Sequence, residues 1–230
     1  MLNVDNLSFA FGKRKILDHI TLTVAPGEIV GLVAPNGTGK STLLRNIAGL
    51  LRPSEGTVTL MGYDAFKQRR QFLRHLFFLE DAHRLYDDLT ALELLTYVGR
   101  IWGGEVTAAT AVQRLRMADY QGVRISRMSL GMRQHVLLAA YLVSGADLLL
   151  FDEPLNGLDP TAIARFTRVF SELRDEGKAI LMSSHQLPNL AEMSDRVAFL
   201  TAGQLEIHRT ADVDLRREYA RIFNVEEGLM

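Results

Sequence analysis

No cysteine occurs among the 230 residues. Disulfides and thiolate metal sites are therefore excluded, and the composition fits a cytosolic protein. Long apolar runs are missing as well. The greasiest stretch, Tyr141 to Phe151, is interrupted by Asp147, and no segment reaches the ~18 uninterrupted apolar residues of a membrane span. Any work at a membrane would need another chain to supply the spans. The start, Met1-Leu2-Asn3-Val4-Asp5, has no basic stretch followed by an apolar run, so it does not read as a signal peptide. There is no excess of one charge: 26 Lys and Arg stand against 27 Asp and Glu, for a net charge of −1. A polyelectrolyte partner such as DNA or RNA is not indicated. Internal repeats, low-complexity tracts and flexible linkers are absent too. What is present is 47% hydrophobic and 23% charged sequence, enough for a sizeable core in one domain or in two lobes sharing a core.

Leu2–Ser8 and Ile16–Val24 alternate apolar and polar residues, as half-buried strands do. Ile29–Val33 is a short apolar run that predicts a strand buried on both faces. Leu43, Leu44, Ile47 and Leu51 fall at helical spacing, predicting a helix over Ser41–Leu51, and Thr57–Met61 reads as a further strand. From Ala82 to Gly145 the pattern turns helical. Thr90-Ala91-Leu92-Glu93 is a capping-box sequence that opens a helix to about Ile101, followed by helices over Ala108–Ala118 and Met132–Ser144. Strands are then expected at Leu148–Phe151 and Ala179–Met182, with a helix over Thr161–Glu176 between them. A short strand past Gly203 and a helix over Val213–Phe223 close the chain. Such alternation predicts a parallel sheet with crossover helices, interrupted by a helical insertion.

Ala34-Pro35-Asn36-Gly37-Thr38-Gly39-Lys40-Ser41-Thr42 lies between the Ile29–Val33 strand and the Ser41 helix, the context that a phosphate-binding loop requires. Glycines let successive backbone N–H groups converge on one anion, and the helix N-terminus adds partial positive charge. Lys40 can reach the β- and γ-phosphates, and Ser41 offers a hydroxyl to Mg2+. Ala34 stands where the motif has its first glycine, which matters only if that position needs a positive φ. Leu148 to Phe151 leads into Asp152 and Glu153, two acids at the carboxyl end of an apolar strand, where open α/β sheets bind ligands. Asp152 is placed to hold Mg2+ and Glu153 to orient or deprotonate an attacking water.

In this order of motifs the sequence resembles the nucleotide-binding subunits of ABC transporters across essentially its whole length. Met128-Ser129-Leu130-Gly131-Met132 stands at the family's signature. Leu155-Asn156-Gly157-Leu158-Asp159 stands at its D-loop, and Ser183-Ser184-His185 at its switch histidine. Phe11 matches the aromatic that stacks on adenine, and Glu80 occupies the position of the Q-loop glutamine.

The resemblance implies an α/β fold of the P-loop NTPase (RecA-like) kind, with a parallel-sheet core, an antiparallel β subdomain and an inserted α-helical subdomain. It reads 1–230 as one such domain, in which 1–81 and 146–230 form the core with its β subdomain and 82–145 the helical subdomain. It implies ATP and Mg2+ as cofactors, with nucleotide held by Phe11, Asn36, Gly37, Thr38, Gly39, Lys40, Ser41, Thr42, Ser129 and Gly131. Mg2+ falls to Ser41, Glu80 and Asp152; Lys40, Glu153 and His185 carry catalysis, and Asp159 links two sites. Plain structural roles stand beside these: a core position for Phe11, and helix caps for Ser129 and Asp159, the latter before Pro160.

The implied assembly is a head-to-tail homodimer or heterodimer with a second such subunit. It works with an integral membrane permease at the cytoplasmic face of the cell membrane, and nucleic acid is not a partner. The permease would dock in a groove lined by Phe78 to Leu89, including Leu85 and Tyr86. Glu80 replaces a neutral amide and cannot donate when ionised, while Leu130 and Met132 replace a glycine and a glutamine. Ser-Leu-Gly-Met-Arg-Gln resembles the variant of ABC-2 type exporters. A soluble ABC ATPase without a transporter and a non-hydrolysing ATP sensor are the alternatives; no Asn-Lys-x-Asp guanine motif is found.

Overall fold

The computed structural model describes residues 1–80 and 82–225. Strands β1 (Leu2–Phe11) and β2 (Arg14–Val24) form a hairpin, followed by β3 (Ile29–Val33) and helix α1 (Lys40–Ile47). Next come β4 (Glu55–Leu60), β5 (Tyr63–Asp64), α2 (Arg69–Arg74) and β6 (Leu76–Leu79). Helices α3 (Ala91–Trp102), α4 (Ala108–Arg114) and α5 (Leu130–Ser144) precede β7 (Leu148–Asp152), α6 (Pro160–Asp175) and β8 (Ala179–Ser183). The chain ends with α7 (Leu187–Met193), β9 (Arg196–Thr201), β10 (Gln204–Arg209) and α8 (Leu215–Phe223).

Two sheets result. One is antiparallel, in the order β2-β1-β4-β5; the other runs β10-β9-β3-β8-β7-β6 and is parallel except for β10. Its central strands β3, β8 and β7 are buried on both faces, which is why they read as unbroken apolar runs, whereas the edge strand β10 is half-exposed. Along β7, Leu148 and Leu150 join α1 and the antiparallel sheet in one core cluster. Leu149 and Phe151 face the other way, into a cluster with α3, α5 and α6. The β3-β8-β7 order sets the carboxyl ends of three strands side by side.

Tyr141 helps to fix β7. Its buried ring stacks on Phe151 at 3.9 Å between centroids. Its hydroxyl accepts from the Leu79 amide at 3.1 Å and also meets the Leu150 carbonyl, joining β6, β7 and α5 at one atom. The phenol is fully buried, and this raises its pKa. Among the described residues no helix is long and apolar enough to cross a membrane.

Several boundaries differ from those read in the sequence. Helix α1 stops at Ile47 rather than Leu51, because Gly49 turns left-handed at φ 68° and the Leu50 amide closes back on the Arg45 carbonyl, a Schellman-like end. Helix α4 stops at Arg114 rather than Ala118, ahead of Arg116 at φ 55°. Helix α5 starts at Leu130 rather than Met132, since Ser129 caps it through the Met132 amide at 3.3 Å. The capping box at Thr90 and Glu93 forms in both directions. Strands β6 and β9 and helices α2 and α7 escaped the sequence reading. Each spans seven residues or fewer, too short for periodicity to separate helix from strand.

Candidate functional site

The loop from Ala34 to Gly39 leaves β3 and enters α1. Gly37 and Gly39 have φ of 80° and 115°. At Gly39 a Cβ would also come within 2.9 Å of Ile16, so backbone freedom and space both demand glycine. Ala34 is absent from the left-handed residues, so the departure from glycine there costs no strain. No side chain caps α1 and no acid lies in its first turn, which leaves the N–H groups of that turn to an anion. Lys40 is only 7% exposed. Its Nζ donates to the Ala34 carbonyl at 2.6 Å and stands 3.8 Å from Glu153 Oε1.

The strand ends β7 and β8 bring the acids to this loop. Ser41 Oγ donates to Asp152 Oδ2 at 2.6 Å, and Ser183 Oγ donates to Asp152 Oδ1 at 2.5 Å. Ser183 Oγ also accepts from the Glu153 amide at 2.9 Å. Glu153 itself is left-handed at φ 52°, an unfavourable conformation for a non-glycine residue and of the kind found at functional sites. Its Oε2 accepts from His185 through Nδ1 at 2.8 Å and the backbone amide at 3.3 Å. Its Oε1 is buried with no hydrogen-bond partner among the described residues, an orphan acceptor that a water or a bound group would satisfy. A hydroxyl and a carboxylate in contact, Ser41 and Asp152, are the hard oxygen donors that a divalent cation such as Mg2+ takes.

A cavity of about 740 Å³ runs over these groups. Phe11, Asn36, Gly37, Gly39, Lys40, Ser41, Thr42, Glu80, Asp152 and Glu153 all line it. Thr38 lies within the loop and donates to the Pro35 carbonyl at 2.7 Å, and His185 reaches the site through Glu153. Phe11 is 53% exposed, set edge-on to Phe9, so the core role for it is not realised. The sequence reading overlooked Arg14 in the cavity wall, and it quoted Gln134, which also lines that wall, and Ser183 without a role. The only signal for Ser183 was its place at the end of a strand.

Ser129, Gly131 and Asp159 are not part of that cavity. They line a separate cleft between α5 and the start of α6, with Tyr120, His135 and Arg165. Ser129 and Asp159 both cap helices, Asp159 through the Ala162 amide at 3.0 Å. Burial pushes the Tyr120 phenol up to about 12 and holds the His135 imidazole below its usual value, with Arg165 adding to the latter. Leu130 rests so closely on Gly157 that a Cβ there would meet it at 2.8 Å.

An apolar groove lies along α3, lined by Tyr86, Leu89, Leu92, Glu93, Thr96, Tyr97 and Arg100. Tyr86 is 63% exposed and Tyr97 54%. Leu85, expected in this groove, is instead buried, because the turn at 82–84 directs it into the core with α3 and α5.

A glycine-rich loop on a helix N-terminus, with a buried lysine and a hydroxyl–carboxylate pair, makes this a P-loop nucleotide-binding domain of the ATPase class. The ABC transporter family model matches residues 17–156, and the chain belongs to that family as an ATP-binding subunit. It is 38% identical over 203 residues to the ABC transporter ATP-binding protein NatA of Bacillus subtilis, covering 86% of this chain and 82% of that protein. It is 29% identical to the lantibiotic transport ATP-binding protein SrtF of Streptococcus pyogenes, covering 99% and 95%. It is 36% identical to the zinc import ATP-binding protein ZnuC of Roseobacter denitrificans, covering 87% and 75%. A solved ATP-binding subunit of an ABC transporter superimposes with a TM-score of 0.86 at 27% identity, over 96% of this chain and 94% of that one.

Proposed function

We propose that this chain hydrolyses ATP with Mg2+ in a head-to-tail dimer and so drives outward transport through a separate membrane-spanning subunit at the cytoplasmic face. The observation that carries the reading is the meeting of Lys40, Ser41, Asp152 and Glu153 around one cavity, with His185 joined to it through Glu153. Lys40 and the N–H groups of the loop bind the phosphates, and Phe11 offers its face to the base. Ser41 and Asp152 would hold Mg2+, which supplies charge neutralisation at the β- and γ-phosphates when bound. Glu153 Oε1 accepts a proton from, and orients, the attacking water; His185 holds the other Glu153 oxygen in place and stands ready for the γ-phosphate.

Ser129 and Gly131 serve the second subunit's nucleotide, which accords with their lying outside this chain's own cavity. The exposed apolar groove beside α3 suits a helix of the permease. Outward transport rests on the Ser129-Leu130-Gly131-Met132 variant, supported by the relative named for lantibiotic transport; the zinc import relative marks the opposite direction as the competitor.

The test is a pull-down of tagged E153Q from detergent-solubilised cells with ATP present. A polytopic membrane protein in stoichiometric amount is expected. Soluble partners alone, from a complex shown to survive detergent, would sink the transporter part. MgATP hydrolysis by E153Q at the parent rate would sink the catalytic assignment.

A further inference from the structure

Glu80 lines the nucleotide cavity, yet both of its oxygens are engaged. Arg45 Nε donates to Oε1 at 2.6 Å and Arg45 Nη2 to Oε2 at 3.4 Å; Arg84 Nε stands 3.4 Å from Oε2. The carboxylate is only 17% exposed. Arg45 projects from α1, the same helix whose first residues are Lys40 and Ser41, while Glu80 directly follows β6. We infer that Arg45 is a positioning residue for Glu80: it withholds this carboxylate from the cation that Ser41 and Asp152 would hold, and it ties the segment after β6 to the phosphate-binding helix. The inference rests on the nucleotide site proposed above, and it replaces the expectation that Glu80 is a metal ligand.

The physical reasons are geometric and electrostatic. A guanidinium fork on both oxygens is among the stronger charge-assisted contacts. A cation ligated by Glu80 would have to share an oxygen with a guanidinium whose positive charge opposes it. The Arg45 charge stands beside a cavity that already holds Lys40, so it disfavours a further cation on Glu80. Asp152 faces no such conflict, since its partners are the hydroxyls of Ser41 and Ser183. Arg84 adds a second guanidinium to the cluster.

The experiment measures Mn2+–ATP affinity of the full-length chain by electron paramagnetic resonance, with Mn2+ in place of Mg2+. Asp152→Asn is expected to weaken binding about tenfold or more, the scale for losing a group that sets metal affinity. Glu80→Gln should stay within about twofold of the parent, a difference well under 1 kcal/mol. Arg45→Met releases the carboxylate and should tighten binding by about threefold or more, and Arg45→Met/Glu80→Gln should return to the parent value. Arg45→Gln replaces Arg45→Met if the latter does not fold. The inference is overturned if Glu80→Gln weakens binding as Asp152→Asn does, or if releasing Arg45 gives no tightening. A parent-like Asp152→Asn would instead refute the nucleotide–metal site beneath it.

Discussion

The phosphate-loop side of the molecule and the signature side are built differently. Around the loop, the charged side chains are already held within the chain: Lys40 by the Ala34 carbonyl, Asp152 by Ser41 and Ser183, and Glu153 Oε2 by His185. At the signature, Ser129 caps its own helix, while Gly131 has open space where a side chain would project. One side is preorganised by its own fold and needs only a ligand. The other presents a capped helix N-terminus and open space at Gly131. That asymmetry is in keeping with the proposed site shared between two copies.

The largest expected effect breaks the first side. E153Q removes the carboxylate proposed to activate the water, and turnover should fall by about 10²- to 10⁴-fold, the usual worth of a general base, while ATP binding measured by calorimetry persists. Loss of binding instead would make Glu153 a structural residue. F11A comes next. Losing a base-stacking ring costs about 1–3 kcal/mol, so ATP affinity should drop by that amount with the melting temperature unchanged.

G131A sharpens the comparison from the other side. A Cβ there meets nothing within 4 Å in this chain, and glycine to alanine in a helix gains about 0.5–1 kcal/mol. The variant should melt no lower than the parent and bind ATP as a monomer equally well. Turnover should nonetheless fall about tenfold, equivalent to 1.4 kcal/mol at the barrier. Parent-like turnover would remove Gly131 from the shared site.

T90A tests stability alone. It breaks the capping box of α3 at a cost of about 1 kcal/mol, visible as a lower melting temperature with ATP affinity intact.

The smallest effect is a pH dependence near the signature. His135 has its pKa lowered by burial and by Arg165, against a weaker opposing pull from Asp159, and Tyr120 shares a hydrogen bond with it. The unfolded chain then binds more protons than the folded one below the usual histidine value. The stabilising contribution is therefore present above pH 6.5 and fades as pH falls beneath it. Melting curves of the parent should show this slope, and H135Q should flatten it.

How much was legible beforehand follows from what each feature depends on. The phosphate loop could be read because glycines, a lysine and a hydroxyl at fixed spacing have few other uses between a strand and a helix. Asp152 and Glu153 were legible because an apolar strand ended in them. The capping box at Thr90 and the buried β3 run were local patterns with local causes. The short elements β6, β9, α2 and α7 were hidden because their existence depends on neighbours in the sheet and core, not on their own periodicity. The end of α1 was missed because Leu51 sits at helical spacing, yet Gly49 adopts a left-handed conformation that ends the helix first.

The sequence alone determined the chemical inventory and its order along the chain, because residue type and local spacing decide which side chains can bind phosphate, hold a cation or cap a helix. Only the tertiary structure decided which of those groups meet. It closed Glu80 onto Arg45, lifted Phe11 out of the core, sent Leu85 inward and kept Ser129, Gly131 and Asp159 in a cleft of their own. Such pairings join residues 35 to 111 positions apart, as Glu80 with Arg45 and Ser41 with Asp152 do, and no local pattern carries the register of strands that brings them together.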